Sequence, residues 1–187
     1  MGPFAIQCVR TGRRLTTALG LAGMAVLVSG CGGGEGGMPA APPRVGDAVP
    51  DLTFAVLEGD SLALPDLAGR PALINLWATW CPPCRAEIPF LQSLHEEYGP
   101  RGLRVVGISE DNAGALDQVE DFLGEASVTY ENMLDPRGEA MDAFRLLGLP
   151  ATYLVDAEGR IVLVRAGPVS EADQEFLDTI EALVAGS

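Results

Sequence analysis

The feature that most constrains this chain is a pair of cysteines between an apolar run and a helical pattern. Residues 72–77 (Ala-Leu-Ile-Asn-Leu-Trp) are almost continuously apolar, which is typical of a buried central strand. The sequence Trp-Cys-Pro-Pro-Cys follows at residues 80–84 and contains Cys81 and Cys84. Apolar residues then recur at helical spacing, which predicts a helix over residues 83–98. We therefore expect the cysteine pair at a strand-to-helix junction.

Cysteines at the start of a helix are suited to redox chemistry. The free N–H groups and the helix macrodipole stabilise an anion there, and the thiolate is the form that attacks a disulfide. Cys84 lies in the first turn, where it can reach back to Cys81 and resolve a mixed disulfide. Pro82 and Pro83 stiffen that turn, in which proline is tolerated. These residues and Trp80 form the expected active-site surface.

Two other roles compete for the cysteine pair. A structural zinc site needs two more ligands, but Cys8 and Cys31 lie in or beside an N-terminal targeting segment and His95 is the single histidine. An inert disulfide is the second alternative, although so short a loop contributes little to stability. The redox role is the one on which the motif, the preceding strand and the following helix agree, so we predict neither a metal nor a cofactor.

Residues 1–31 are predicted to be an export signal. Three arginines precede an apolar run over residues 15–28. About 14 residues of helix span only ~21 Å, less than the ~30 Å hydrocarbon core, and a permanent transmembrane helix is the alternative. The run ends in Leu-Val-Ser-Gly-Cys (27–31), which resembles a bacterial lipobox. That resemblance implies that Cys31 carries a lipid anchor and that the chain before it is removed.

Composition separates a linker from a globular domain. Residues 32–44 are rich in Gly, Pro and Ala, as expected of a flexible tether, and residues 45–187 form the predicted domain. The chain carries 26 acidic and 12 basic residues, a net charge of −14. Such a surface repels nucleic acid and anionic lipid headgroups, so we expect no nucleic-acid partner, and it favours a cationic one.

The apolar pattern of the domain predicts an α/β fold. Short runs at residues 51–57 and 61–64 surround Glu-Gly-Asp and predict an N-terminal β-hairpin extension. The remaining elements are a strand at 103–109, a helix at 116–123, a short helix at 140–147 ending at Gly148, a hairpin at 152–155 and 161–164, and a C-terminal helix at 176–184. The order ββ-βα-βα-α-ββ-α implies a mixed central sheet flanked by helices on both faces. The acidic stretch 110–112 is predicted to be a solvated loop.

Three stretches, residues 45–51, 76–87 and 148–156, resemble the TlpA/ResA-like group of extracytoplasmic thiol-disulfide oxidoreductases, which includes cytochrome c maturation proteins. The resemblance covers the whole domain and implies a thioredoxin-like fold. It implies that Cys81 is the attacking thiol and Cys84 the resolving one. It also implies that Pro150 is a cis-proline facing the pair, with the Leu149 backbone pairing the substrate peptide.

Glu87 lies about one helical turn beyond Cys84. In ResA-like members an acid at the matching place is implicated in thiol proton chemistry, so a partly buried Glu87 could exchange protons with Cys84. The alternative is a solvated acid that the helix dipole favours. Cytoplasmic thioredoxins carry a buried Asp at the place of Asn75, and because Asn cannot titrate, any such base must come from elsewhere.

The sequence therefore predicts a lipid-anchored thiol-disulfide oxidoreductase of the cell envelope. The resemblance favours the reducing direction, with exported proteins that carry disulfides or thiols as substrates, as in cytochrome c maturation. A reductant must be recharged, and a membrane thiol-disulfide electron donor is the expected partner. The alternatives are a chaperone that binds copper through the two thiolates, which suit Cu(I), and a thiol peroxidase.

Overall fold

The computed structural model describes residues 41–186 of the chain. The predicted export signal, the predicted lipidation site Cys31 and residues 32–40 of the predicted linker lie outside the described residues. Residues 41–44 belong to no helix or strand. In the part of the chain that the structure describes, no helix is both long enough and apolar enough to cross a membrane.

The domain contains seven strands and four α-helices within residues 41–186. The strands are β1 (Thr53–Val56), β2 (Ser61–Ala63), β3 (Ala72–Trp77), β4 (Arg104–Ser109), β5 (Glu131–Leu134), β6 (Ala151–Val155) and β7 (Ile161–Ala166). The helices are α1 (Pro82–Tyr98), α2 (Leu116–Glu125), α3 (Glu139–Phe144) and α4 (Gln174–Ala185). The hairpin predicted at the N-terminus of the domain is confirmed, because β1 and β2 pair antiparallel.

The strands form one mixed sheet in the order β2-β1-β5-β4-β3-β6-β7. The three inner strands β5, β4 and β3 are parallel to one another, and the pairs at either side of them are antiparallel. Leu76 at the end of β3 pairs with Ala151 at the start of β6. Trp77 pairs with Ser109 at the end of β4. The end of β3 is therefore flanked by the start of β6 on one side and the end of β4 on the other.

Helices cover both faces of the sheet, as predicted. All six residues of β3 are buried, and alternate residues point to opposite faces because successive side chains of a strand alternate. Ile74 and Leu76 pack with Phe144 of α3. The other face packs against α1, α2 and α4. The α/β, thioredoxin-like fold class is confirmed by this mixed sheet between two helical layers.

The predicted element order missed β5, which lies between α2 and α3. The strand has the sequence Glu-Asn-Met-Leu, which is neither a continuous apolar run nor an alternation of apolar and polar residues. Asn132 is nevertheless buried. Its Oδ1 atom accepts a hydrogen bond of 3.1 Å from the indole Nε1 of Trp77, which satisfies the buried amide oxygen. A tertiary hydrogen bond thus explains why a polar residue occupies the centre of the sheet.

The short helix α3 ends earlier than predicted. It stops at Phe144 rather than Leu147, and Gly148 does not cap it. Arg145 adopts a left-handed backbone with φ of 53°, and its N–H donates to the carbonyls of Asp142 and Met141. A single residue in this conformation ends an α-helix. The segment from residue 146 to Pro150 is consequently a loop that leads into β6.

Candidate active site

Cys81 and Cys84 form a disulfide at the start of α1, with their Cα atoms 5.3 Å apart. Cys81 occupies the N-cap position, and its sulfur accepts a hydrogen bond of 3.3 Å from the backbone N–H of Cys84. Cys81 is 5% exposed and Cys84 is fully buried. Pro82 and Pro83 are exposed in the first turn. The predicted strand-to-helix junction and the position of the dithiol on it are therefore confirmed.

The loop before β6 lies beside the dithiol. The Leu149–Pro150 peptide bond is cis, as the sequence resemblance implies. Leu149 packs against the apolar cluster that contains both cysteines. The carbonyl oxygen of Pro150 accepts a hydrogen bond of 2.9 Å from the backbone N–H of Gly167, which links this loop to the connection between β7 and α4. Two loops thus stand next to the start of α1 on the β6 side.

Glu87 follows Cys84 by one turn of α1 and is buried, with 3% of the residue exposed. Its Oε1 atom accepts a hydrogen bond of 2.8 Å from the Asn75 side-chain amide, and its Oε2 atom accepts one of 2.8 Å from the Val169 backbone N–H. Burial raises the pKa of Glu87 to about 7, although both hydrogen bonds favour the charged form. The alternative of a solvated first-turn acid is wrong.

Asn75 joins β3, α1 and β6 through one amide group. Its Nδ2 atom donates to Glu87 and also, over 2.9 Å, to the Oγ1 atom of Thr152. Burial raises the pKa of the Tyr130 phenol, and the charge of the nearby Glu87 carboxylate raises it in the same direction. The titratable side chain next to the dithiol is therefore Glu87, held in a neutral hydrogen-bonding frame.

Comparison with known proteins agrees with this geometry. Residues 45–164 match the AhpC/TSA family. A thiol-disulfide oxidoreductase ResA from Oceanobacillus iheyensis is 34% identical over 131 residues, which span 68% of this chain and 67% of the relative. The sporulation thiol-disulfide oxidoreductase A of Bacillus subtilis is 29% identical over 161 residues, or 86% of this chain and 93% of the relative.

The chain is a ResA-like thiol-disulfide oxidoreductase of the AhpC/TSA family. A solved thiol:disulfide interchange protein of the thioredoxin family from Chlorobium tepidum superposes with a TM-score of 0.63 at 28% identity, covering 78% of this chain and 98% of that one. The family resemblance that the cysteine and proline motifs indicated is confirmed, as are the enzyme class and the fold.

The oxidoreductase holds the loop before Cys81 with a buried carboxylate that the sequence did not reveal. Asp111 is 6% exposed. Its Oδ2 atom accepts hydrogen bonds of 2.9 Å from the backbone N–H of Thr79 and from the Ser109 hydroxyl, and its Oδ1 atom accepts one of 2.6 Å from the Thr79 hydroxyl. The prediction of a solvated loop over residues 110–112 is wrong at Asp111, because this carboxylate has no more than a trace of solvent contact.

Glu110 also departs from that predicted solvated loop. Both of its carboxylate oxygens are buried without a hydrogen-bond partner among the described residues. Burial, together with the smaller effect of the neighbouring charges of Asp135, Asp111 and Asp142, raises the pKa of Glu110 to about 8. The acidic composition of residues 110–112 did not predict the burial of Glu110, because burial depends on how the fold packs around the residue.

The two tryptophans near the dithiol occupy different environments. Trp77 is fully buried, whereas Trp80 is 64% exposed immediately before Cys81. The expected place of Trp80 on the active-site surface agrees with this exposure. Among residues 41–186, no group of three or more His, Cys, Asp or Glu side chains is close enough together to hold a metal ion.

Proposed function

We propose that this oxidoreductase reduces disulfides in exported proteins on the outer side of a membrane, with apocytochrome c among the substrates. The observation that carries the proposal is the unequal exposure of the dithiol, since Cys81 reaches the surface and Cys84 is enclosed. A partner disulfide can therefore approach Cys81 but not Cys84. That difference supports Cys81 as the attacking thiol and Cys84 as the resolving one.

The proposed reaction starts from the dithiol form. The Cys81 thiolate attacks one sulfur of the substrate disulfide, so that a mixed disulfide forms and one substrate thiolate leaves. The Cys84 thiolate then attacks the Cys81 sulfur, restores the Cys81–Cys84 disulfide and releases the second substrate thiolate. Two electrons pass from the dithiol to the substrate disulfide. The backbone of Leu149, ahead of the cis-proline Pro150, would pair with the substrate strand during both steps.

Glu87 is proposed to accept the proton that Cys84 loses before the second attack. The carboxyl group lies one turn along α1 from Cys84, and both residues are buried. A pKa near 7 suits proton exchange with a thiol at neutral pH, because an acceptor of that strength is both available and able to give the proton back. Asn75 and Val169 would hold the carboxylate in place during the transfer.

The proposal also covers where the protein is located and what reduces its disulfide after each reaction. The lipobox-like sequence ending at Cys31 supports a lipid anchor, and the linker after it would hold the domain close to the membrane surface. A membrane thiol-disulfide electron donor would return the Cys81–Cys84 disulfide to the dithiol.

Fractionation of cells that make the full chain tests the anchor. The Cys31→Ser substitution should move the protein from the membrane fraction to the soluble envelope fraction.

Trapping tests the exchange itself. The Cys84→Ser variant cannot resolve the mixed disulfide, so it should accumulate covalent adducts at Cys81 with exported proteins. Cys81→Ser is the matched control and should trap nothing. The direction requires a second measurement, the reduction potential of the dithiol against glutathione. A potential near that of strong oxidants, about −120 mV, would contradict the reductase direction while leaving thiol exchange intact.

A further inference from the structure

A surface groove of 390 Å³ opens beside the dithiol, on the side of β4 and α2. The exposed ring of Trp80 forms one wall, and it directly precedes Cys81 in the sequence. Residues of α2 also line the groove. Any polypeptide whose cysteine is joined to Cys81 therefore has neighbouring residues within reach of this groove.

Two residues that line the groove, Phe122 and Arg85, already make a contact between an aromatic ring and a cation. Phe122 packs on the buried Trp77 ring, with centroids 5.5 Å apart. The guanidinium of Arg85 lies 4.9 Å from the centroid of the Phe122 ring, a cation–π contact. This contact shows that one aromatic ring of the groove, that of Phe122, already holds a positive charge. The second ring of the groove, Trp80, is exposed, and Trp is the aromatic side chain that attracts cations best.

The part of the groove that α2 forms is acidic. Asp121 and Glu125 lie four residues apart on α2, so they share one face of the helix, and both are exposed. Neither carboxylate belongs to any ion pair that the described part of the chain makes. The helix as a whole carries four acidic residues and no basic one. Two free carboxylates thus face the groove against the single guanidinium of Arg85.

The other side of the dithiol has no such charge. The loop that contains the cis-proline, residues 146–152, and the neighbouring connection, residues 166–170, include no Asp, Glu, Lys or Arg. Glu87, which accepts a hydrogen bond from the Val169 backbone on this side, is buried, so the exposed carboxylates that line a groove beside the dithiol are those of α2. A partner strand that crosses Cys81 meets neutral backbone and apolar side chains on the β6 side and carboxylates on the α2 side.

We propose that the groove between Trp80 and α2 is a specificity site for a Lys or Arg side chain located a few residues to one side of the partner's cysteine. The basic group would lie against the Trp80 ring with Asp121 and Glu125 as its counter-charges. The partner is thus a polypeptide with a basic residue beside its reactive cysteine. The proposal rests on thiol exchange at Cys81 but not on the direction of electron flow.

Four peptides test the preference. Each carries one cysteine as a mixed disulfide with 2-mercaptoethanol; one is neutral, two have a pair of arginines either before or after the cysteine, and one has two glutamates. The reduced enzyme reacts with each while its tryptophan fluorescence is followed. One arginine peptide should react about fivefold faster than the neutral one at low ionic strength, and 0.5 M salt should remove most of that advantage.

Paired variants assign the effect to the groove. Asp121→Asn with Glu125→Gln should abolish the advantage of the arginine peptide and leave the rate with the neutral peptide unchanged. Asp117→Asn with Glu120→Gln removes the same charge from the same helix outside the groove, and the advantage should persist. Equal rates for the neutral and arginine peptides, or equal losses in the two paired variants, would overturn the proposal.

A binding measurement separates this proposal from the exchange reaction. The same four peptides with serine in place of cysteine cannot react, so their dissociation constants report the groove alone. The same arginine peptide should bind about fivefold more tightly than the neutral one, and only Asp121→Asn with Glu125→Gln should remove the difference. A peptide set that binds without preference contradicts the specificity site, and tighter binding of the glutamate peptide would point to Arg85 as the recognising group instead. Failure of the neutral disulfide to react contradicts thiol exchange, not the groove.

Discussion

The side-chain amide of Asn75 donates a hydrogen bond of 2.8 Å to the carboxyl group of Glu87, across the contact between β3 and α1. The backbone N–H of Val169 donates to the other oxygen of the same carboxyl group. Both donors stabilise the carboxylate, and burial opposes them more strongly, so that the pKa is raised to about 7. The balance of these effects places the titration of a buried acid near neutral pH.

The first prediction concerns the rate of thiol exchange. Glu87 can accept a proton only when it is ionised, so the rate at which the mixed disulfide resolves should rise through an inflection near pH 7. Glu87→Gln should lose this inflection and react about tenfold more slowly at pH 8. Stopped-flow kinetics from pH 5 to 9 measure both. Glu97→Gln, at an exposed position of α1, serves as the control and should keep the wild-type profile.

The second prediction concerns stability, and its sign follows from the direction of the same shift. The pKa of Glu87 is raised on folding, so the folded state binds the proton more tightly than the unfolded one. This contribution to the free energy of unfolding is complete below the ordinary glutamate pKa of 4.5 and is lost as the pH rises through about 7. Wild type should lose about 2 to 3 kcal/mol across that window relative to Glu87→Gln. Urea denaturation of the disulfide form at pH 4.5 and 8 checks it; parallel pH dependence in the two proteins would contradict it.

The third prediction concerns the anchor of the loop before Cys81. Asp111→Ala removes the acceptor of three hydrogen bonds and leaves the Thr79 backbone N–H and two hydroxyls without it. We expect a loss of about 2 to 4 kcal/mol in the free energy of unfolding. Asn112→Ala, at an exposed neighbouring position, should cost much less. The loop also positions Cys81, so the reduction potential of the folded Asp111→Ala variant should shift, and an unchanged potential would restrict Asp111 to stability.

The fourth prediction concerns the close approach of three strands. Gly107 of β4 lies between Trp77 and Asn132, and a Cβ atom there would overlap the Asn132 Oδ1 atom and come within 2.9 Å of the Trp77 Nε1 atom. Gly107→Ala should therefore cost about 2 to 4 kcal/mol, because the buried hydrogen bond between those side chains must break or shift. Gly124 of α2 has open space at its Cβ position. Gly124→Ala should be neutral or stabilising by up to about 1 kcal/mol, as thermal unfolding of both variants would show.

The fifth prediction concerns Glu110. Its pKa is raised from about 4.5 to about 8 by burial and by the charges of neighbouring acids, so its contribution to stability is complete below pH 4.5 and is lost as the pH rises to about 8. Glu110→Gln should raise the free energy of unfolding by about 1 kcal/mol at pH 9, after allowance for partial solvent screening, and change it little at pH 5. Denaturation at the two pH values tests this. A variant equally stabilised at both would indicate packing rather than charge.

Much of the active-site framework could be predicted from local sequence. The apolar run before the cysteines required a central strand, and the apolar spacing after them required a helix, so Cys81 had to lie at a helix start. Because helix ends leave N–H groups free, this location alone indicates thiolate chemistry. The cis-proline at Pro150 was predictable from a motif, although the chemistry of residues 148–156 by themselves allows a trans bond as well.

The elements that escaped prediction depend on contacts between distant parts of the chain. The polar strand β5 is stable in the sheet because Asn132 meets Trp77, which lies 55 positions earlier. No local pattern reports such a contact, and an Asn in a short segment normally favours a turn. The clamp of Asp111 on Thr79, 32 positions earlier, was hidden for the same reason.

Local sequence is enough to place a dithiol at the junction of a buried strand and a helix, since both periodicities and the Cys-Pro-Pro-Cys spacing are local. The protonation and exposure of the acids around it depend instead on the folded domain. Glu87 became a buried group with a pKa near 7 because the backbone of Val169, 82 positions away, and Asn75 enclose it. Asp121 and Glu125 stayed exposed beside Trp80. Burial and pairing are properties of the assembled fold, so identical residue types acquire different chemistry in it.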